Sequence, residues 1–143
     1  MKRYDWCSFS WDPEAFPEPE RYLKEIKEEY NVKVCAWVNP YIAQRAEIFK
    51  EGAAKGYFVT RTDGSVWQWC VTTRRTSLRT RDEWQPGMAV VDFTNPEARV
   101  WYSGLIEKLL LTGVDTIKTD FGERIPHLGI KWHDGSDPWK MHK

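Results

Sequence analysis

The sequence predicts an α/β protein whose strand–helix units place their strands in a parallel sheet. Two features carry this reading. Short, β-prone apolar runs at 32–38, 88–93 and 114–120 alternate with stretches of helical periodicity, which is the pattern of βα units. The length, 143 residues, suits a single domain.

The elements follow in chain order. Asp5 to Pro13 is an aromatic-rich loop without helical spacing. Pro17 and Pro19 precede a helix with apolar positions at Tyr22, Leu23, Ile26 and Tyr30, which Asn31 is expected to stop. Val32 to Val38 reads as a buried strand ended by Asn39-Pro40, because a residue before proline is driven to extended backbone. A second helix is expected over 46–55, closed by Gly56. Tyr57-Phe58-Val59 and Ser65 to Trp69 flank Thr62-Asp63-Gly64, a hairpin signal. Gln85-Pro86-Gly87 is a turn, and Met88 to Phe93 is a further strand. Thr94 or Asn95 is placed to cap the next helix, with Pro96 early in its first turn, where a missing N–H costs nothing. That helix runs to Thr112 and is closed by Gly113. Val114 to Asp120 is the last strand, followed by a loop through Gly122.

Composition excludes several functions. The 21 basic and 21 acidic residues cancel, so there is no bulk attraction to nucleic acid or to an anionic membrane. No apolar run approaches the roughly 18 to 20 residues of a membrane span, and no signal peptide opens the chain. Cys7, Cys35 and Cys70 form neither a metal-binding spacing nor an even disulfide set, which favours a reducing, cytoplasmic location. His127, His133 and His142 have no metal-ligand spacing. Asp134-Gly135-Ser136-Asp137-Pro138 starts like a calcium loop but lacks the later ligands, so a turn is expected, and no metal or other cofactor. Nine tryptophans are several times the usual number. Such rigid, amphipathic rings suit core packing and equally the apolar C–H faces of sugars.

The candidate chemistry lies on the last strand. Side chains alternate along a strand, so Thr116, Lys118 and Asp120 share a face, with Asp120 at the C-terminal end. In a β/α barrel, catalytic groups collect at that end. A lysine two residues earlier favours the ionised carboxylate, the form needed by a nucleophile attacking an anomeric carbon. The same spacing fits a plain ion pair at a strand end. Trp37 and Asn39 share a face near the end of the earlier strand and fit either a ligand wall or a packed Trp before an Asn-Pro turn. Glu123 and Asp115 have no spacing that marks a general acid. Cys70 to Arg81 is rich in Thr and Arg and follows no period, so it reads as a solvated loop.

Lys118-Thr119-Asp120-Phe121-Gly122-Glu123-Arg124-Ile125-Pro126 resembles the nucleophile motif of glycoside hydrolase family 31, in its α-xylosidase branch. Trp6-Cys7, Trp11-Asp12-Pro13, Trp37-Val38-Asn39-Pro40-Tyr41-Ile42, Asp63 to Trp69, Trp84 to Gly87, Asp92 to Pro96 and Asp134 to Pro138 are similar to the same branch. The maltase-like branch carries a Trp-x-Asp-Met-Asn-Glu pattern instead. The resemblance implies part of a (β/α)₈ TIM barrel, its early-middle βα units. It also implies a retaining mechanism in which Asp120 forms a covalent glycosyl-enzyme and a second Asp serves as acid and then base. Lys118 then matches a residue near the −1 sugar, and Trp37 an aromatic in that subsite's wall. The substrate implied is a terminal α-xyloside or related oligosaccharide, without nucleic acid, membrane or cofactor; the oligomeric state stays open. An α-glucosidase, a glycosyl-transferring relative, or an inactive remnant that binds sugar are the alternatives.

The same resemblance places the second Asp beyond Lys143 and a sugar-binding Asp upstream of Met1. These residues alone are therefore expected to be inactive, and a complete barrel needs roughly 250 residues. Residues 70–81 interrupt two intact motifs where relatives run almost directly from one to the next, as a retained intron or gene-model error would.

Overall fold

A computed structural model describes residues 5–69, 87–123 and 125–141. The Gln85-Pro86 part of the expected turn, Trp84, Arg124, His142 and the 70–81 stretch lie outside the described residues. In chain order the elements are α1 (Pro19–Tyr30), β1 (Cys35–Val38), β2 (Tyr41–Ile42), α2 (Glu47–Ala54), β3 (Thr60–Arg61), β4 (Ala89–Val90), α3 (Pro96–Thr112), β5 (Thr116–Thr119), β6 (Ile130–Lys131) and α4 (Pro138–Met141).

The helix boundaries follow local chemistry. Asn31 ends α1 in the left-handed region, at φ 51°, which Asn tolerates better than most residues. Asn95 caps α3 by accepting from the Glu97 N–H at 2.9 Å, and its own amide donates to the Gly56 carbonyl at 3.2 Å. Gly113 closes α3 at φ 116°. Within α1, Leu23 is buried while Tyr22 and Tyr30 stay exposed, so the apolar face is narrower than the sequence suggests. Lys27 on α1 reaches the Gly113 carbonyl and the Asp115 carboxyl, each at 3.0 Å. Asp115 in turn accepts from the Val34 N–H at 2.8 Å, which fixes the starts of β1 and β5 relative to each other. The Val34 N–H, followed by Lys27, holds its carboxyl below the usual range.

The strands correct the sequence expectation. β1 and β5 form a parallel pair, with Trp37 opposite Lys118 and Val38 opposite Thr119. β2–β4 and β3–β6 are antiparallel. Thus 88–93 does not extend a parallel sheet: it lies in a second layer inserted between β1 and β5. The reason is local. The Thr62-Asp63-Gly64 hairpin sends the chain directly back, with the Arg61 N–H donating to the Ser65 carbonyl at 2.7 Å and the Trp67 N–H to the Val59 carbonyl at 2.9 Å. Tight turns join antiparallel neighbours, whereas parallel strands need a long crossover. β1 also differs from the buried strand expected: Cys35 is exposed and only Val38 is buried.

The inserted layer holds most of the core. Ile42, Phe58, Ala89 and Val91 point to one side, with Ala98 and Tyr102 of α3. Tyr41, Val59, Met88 and Val90 point to the other, with Ile130 and Trp132. This is the period-two alternation of a strand buried on both faces; each Val, Ile, Phe or Met among these side chains contributes about 1.5–3 kcal/mol by burial. α2 packs so closely that a Cβ on Gly52 would sit 2.5 Å from Cζ of Phe58, which explains a glycine inside a helix. Trp69 and Met88 meet across the layer: the Trp69 N–H donates to the Met88 carbonyl and the Gly87 N–H to the Trp69 carbonyl, both at 2.9 Å. Gln68 Nε2 reaches the Gly87 carbonyl at 2.8 Å.

Candidate active site

The β1–β5 register gathers three of the residues singled out from sequence. With Trp37 beside Lys118, the Asp120 N–H donates to the Val38 carbonyl at 3.0 Å, which continues the pairing by one step. Trp37 Nε1 then donates to Asp120 Oδ2 at 2.7 Å. Lys118 Nζ lies 3.3 Å from the same oxygen. The Phe121 N–H turns back onto Asp120 Oδ1 at 3.1 Å. Both carboxyl oxygens are therefore oriented, while the side chain remains 34% exposed.

These contacts hold the Asp120 carboxyl below the usual carboxylate range. The Trp37 N–H contributes most, with Lys118 and the Phe121 N–H adding to it, against the cost of partial burial. The sequence reading credited Lys118 alone. The indole donor ranks above it because a hydrogen bond to the charged form acts at close range, whereas Lys118 is 64% exposed and its attraction is screened by water. Trp37 itself is wedged edge-on between Trp6, at 5.8 Å and 77°, and Phe121, at 5.9 Å and 85°. Neither flanking ring was singled out from the sequence; the Phe that follows Asp120 directly was the available signal.

Other candidates fall away from this cluster. Asn39 is buried, and its Oδ1 accepts from the Cys7 thiol at 3.2 Å and the Tyr41 N–H at 3.0 Å, so it serves the strand-ending turn. Burial pushes the Cys7 thiol up to about 11. Asp115 sits at the opposite end of β5. Asp134 accepts from the N–H and hydroxyl of Ser136 at 2.9 and 2.7 Å, which is the turn expected there. His127 stacks on Trp139 at 4.2 Å. Among the described residues, no group of three or more His, Cys, Asp or Glu is arranged to hold a metal, and no helix is long and apolar enough to cross a membrane. A cleft lined by Phe9, Trp11, Leu23, Ala36 and Val38 also reaches Trp37 but does not include Asp120.

Residues 1–142 match the family described as "Glycosyl hydrolases family 31 TIM-barrel domain". The chain belongs to glycosyl hydrolase family 31. Two curated relatives are α-xylosidases: one from Emericella nidulans, 49% identical over 99% of this chain and 16% of its own length, and one from Lactiplantibacillus pentosus, 48% identical over 99% and 17%. The chain thus spans about a sixth of the curated relatives it matches. Among solved structures it resembles a family 31 sulfoquinovosidase from E. rectale in complex with an aza-sugar inhibitor. The TM-score is 0.80 at 33% identity, over 98% of this chain and 19% of the other.

Proposed function

We propose that these residues hold the nucleophile of a retaining α-glycosidase that releases terminal α-linked xylose. One observation carries the reading: Asp120 combines an oriented, ionised carboxyl with open access, on the same face as Trp37 and Lys118. The similarity to α-xylosidases at 48–49% identity supports xylose as the sugar.

In this reading an Asp120 oxygen attacks the anomeric carbon as the bond to the leaving oxygen breaks, giving a glycosyl-enzyme ester. A second carboxyl group protonates the leaving oxygen, then takes a proton from water as that water breaks the ester. Trp37 and Lys118 keep Asp120 charged before attack; Trp37 also walls the sugar and Lys118 faces it. The proton donor is assigned to another strand of the same TIM barrel, of which β1 and β5 are two adjacent strands. Glycoside turnover by these 143 residues alone is therefore expected to stay at background.

The test is a fluorosugar that forms a slow-turnover glycosyl ester. Incubated with the full-length protein carrying these residues, a 2-fluoro-α-xylosyl donor is expected to label the peptide containing Asp120. Label on another carboxyl group would refute the assignment. Comparing aryl α-xyloside with aryl α-glucoside turnover decides the sugar, and equal or greater glucoside turnover would reject xylose preference.

A further inference from the structure

Resting on the reading of Asp120 as nucleophile, we propose that Tyr41 is a positioning residue whose hydroxyl holds the turn that aims Asp120. The two residues after Asp120 both have positive φ, Phe121 at 59° and Gly122 at 132°. Glycine adopts such backbone freely; a phenylalanine does so only where its surroundings over-determine it. Two contacts do this. The Phe121 ring packs edge-on against Trp37, and the Gly122 N–H donates to Tyr41 Oη at 3.1 Å.

Tyr41 is well suited to such a role. Its ring is 2% exposed, in the core with Val59, Met88, Val90, Ile130 and Trp132. β2 is tied to β4 with Tyr41 opposite Val90, so the hydroxyl is presented from a buried core cluster. The turn anchored at Gly122 restrains the Asp120–Phe121 peptide, whose N–H points back at Asp120 Oδ1. Were the Gly122 anchor lost, that peptide would be free to rotate about ψ of Asp120, its N–H would leave the carboxyl, and Asp120 would be held through Oδ2 alone, by Trp37 and Lys118. Tyr41 therefore acts on the nucleophile through the turn. The charged group facing Asp120 from its own strand is Lys118, and the donor facing it from β1 is Trp37.

The experiment is Tyr41→Phe in the full-length protein carrying these residues, which removes one oxygen and keeps the ring. With an aryl α-xyloside, kcat is expected to fall roughly tenfold or more while KM stays within about twofold, because misaim affects the transition state more than binding. The acidic limb of kcat/KM is expected to move to higher pH, as the ionised carboxyl loses a donor. A merely structural role would lower the unfolding midpoint and leave that limb in place. Unchanged kcat with an unmoved limb overturns the proposal.

A second readout needs no turnover. The indole N–H resonance of Trp37, followed against pH, reports Asp120 ionisation. Its midpoint is expected to rise in Tyr41→Phe, and superimposable curves overturn the proposal. If no glycoside is turned over by the unsubstituted protein, the glycosidase reading fails while this titration still decides the role of Tyr41. If Tyr41→Phe does not fold, deuterium uptake at the Gly122 amide of the unsubstituted protein decides instead. Slow exchange is expected, and exchange at the unprotected rate overturns the hydrogen bond on which the proposal stands.

Discussion

Asp92 and Asp120 are both carboxyl groups at strand ends, yet they are held in opposite ways. Asp92 is 2% exposed. Its Oδ1 accepts from the Thr94 N–H at 2.9 Å and the Thr94 hydroxyl at 2.6 Å, and its Oδ2 from the His133 N–H at 2.7 Å. These donors belong to the backbone and a neighbouring side chain, and they join the start of α3 to the loop after β6. Asp120 also has both oxygens engaged, but its partners are an indole, an ammonium and the next peptide N–H, and a third of it faces solvent. The difference teaches how a carboxyl locked into the fold can be told from one that the proposed function puts to chemical use. Both are satisfied; only Asp120 is satisfied in a way that leaves room for a reacting atom.

The sharpest way to break this comparison is to blunt each carboxyl in turn. Asp120→Asn in the full-length protein is expected to lower glycoside turnover on the order of 10⁴-fold with an unchanged unfolding midpoint, whereas Asp92→Asn should leave kcat per folded molecule within about twofold. The reverse pattern in steady-state kinetics would exchange their roles. Asp92→Ala goes further, leaving three part-buried donors without their acceptor. It should cost roughly 1–3 kcal/mol of stability, read from denaturant unfolding; no measurable loss would show that water replaces the carboxyl.

Next in size come the partners of Asp120. Its carboxyl is held low, so activity that needs the ionised form is lost as pH falls through its pKa. Trp37→Phe removes the leading cause of that depression, and the acidic limb of kcat/KM is expected to move upward. Lys118→Met should move it in the same direction by less, and the Lys118 contribution should shrink with added salt. A larger shift from Lys118→Met would reverse the ranking of the two. The smallest expected effect is Asn95→Ala. It removes the α3 cap and costs about 1 kcal/mol, with kinetics untouched.

Legibility in the sequence followed the range of the interactions. Asn31, Asn95 with Pro96, and Gly113 were readable as helix ends because a cap is decided by a few neighbouring residues. The pairing of Asp120 with Lys118 was readable because alternation places both on one face. The antiparallel layer was not: Ile130–Lys131 carries no strand signal of its own, and it becomes β6 only by pairing with Thr60 and Arg61, 70 positions away or nearly so. Trp37 was visible as a ring near the site, yet its bond to Asp120 spans 83 positions and exists only in one register of β1 against β5. The roles proposed for Asp120, Lys118 and Trp37 rest on the motif resemblance; the order in which Trp37 and Lys118 influence the carboxyl came from geometry.

The hydrogen bonds joining Trp69 to Gly87 and Met88 have a consequence for chain length. Trp69 and Gly87 are held side by side, so the two chain positions that flank 70–86 form a fixed neck. Lengthening such a loop costs only about 0.6 kcal/mol per doubling, and the ladder on either side keeps its register whatever the loop contains. A change of length between Trp69 and Gly87 is thus tolerable to the fold at little thermodynamic cost, and excising residues 70–81 is expected to leave the unfolding midpoint within a few degrees. The same neck offers a site at which a foreign peptide can be spliced in while the strands that support Tyr41 stay in place.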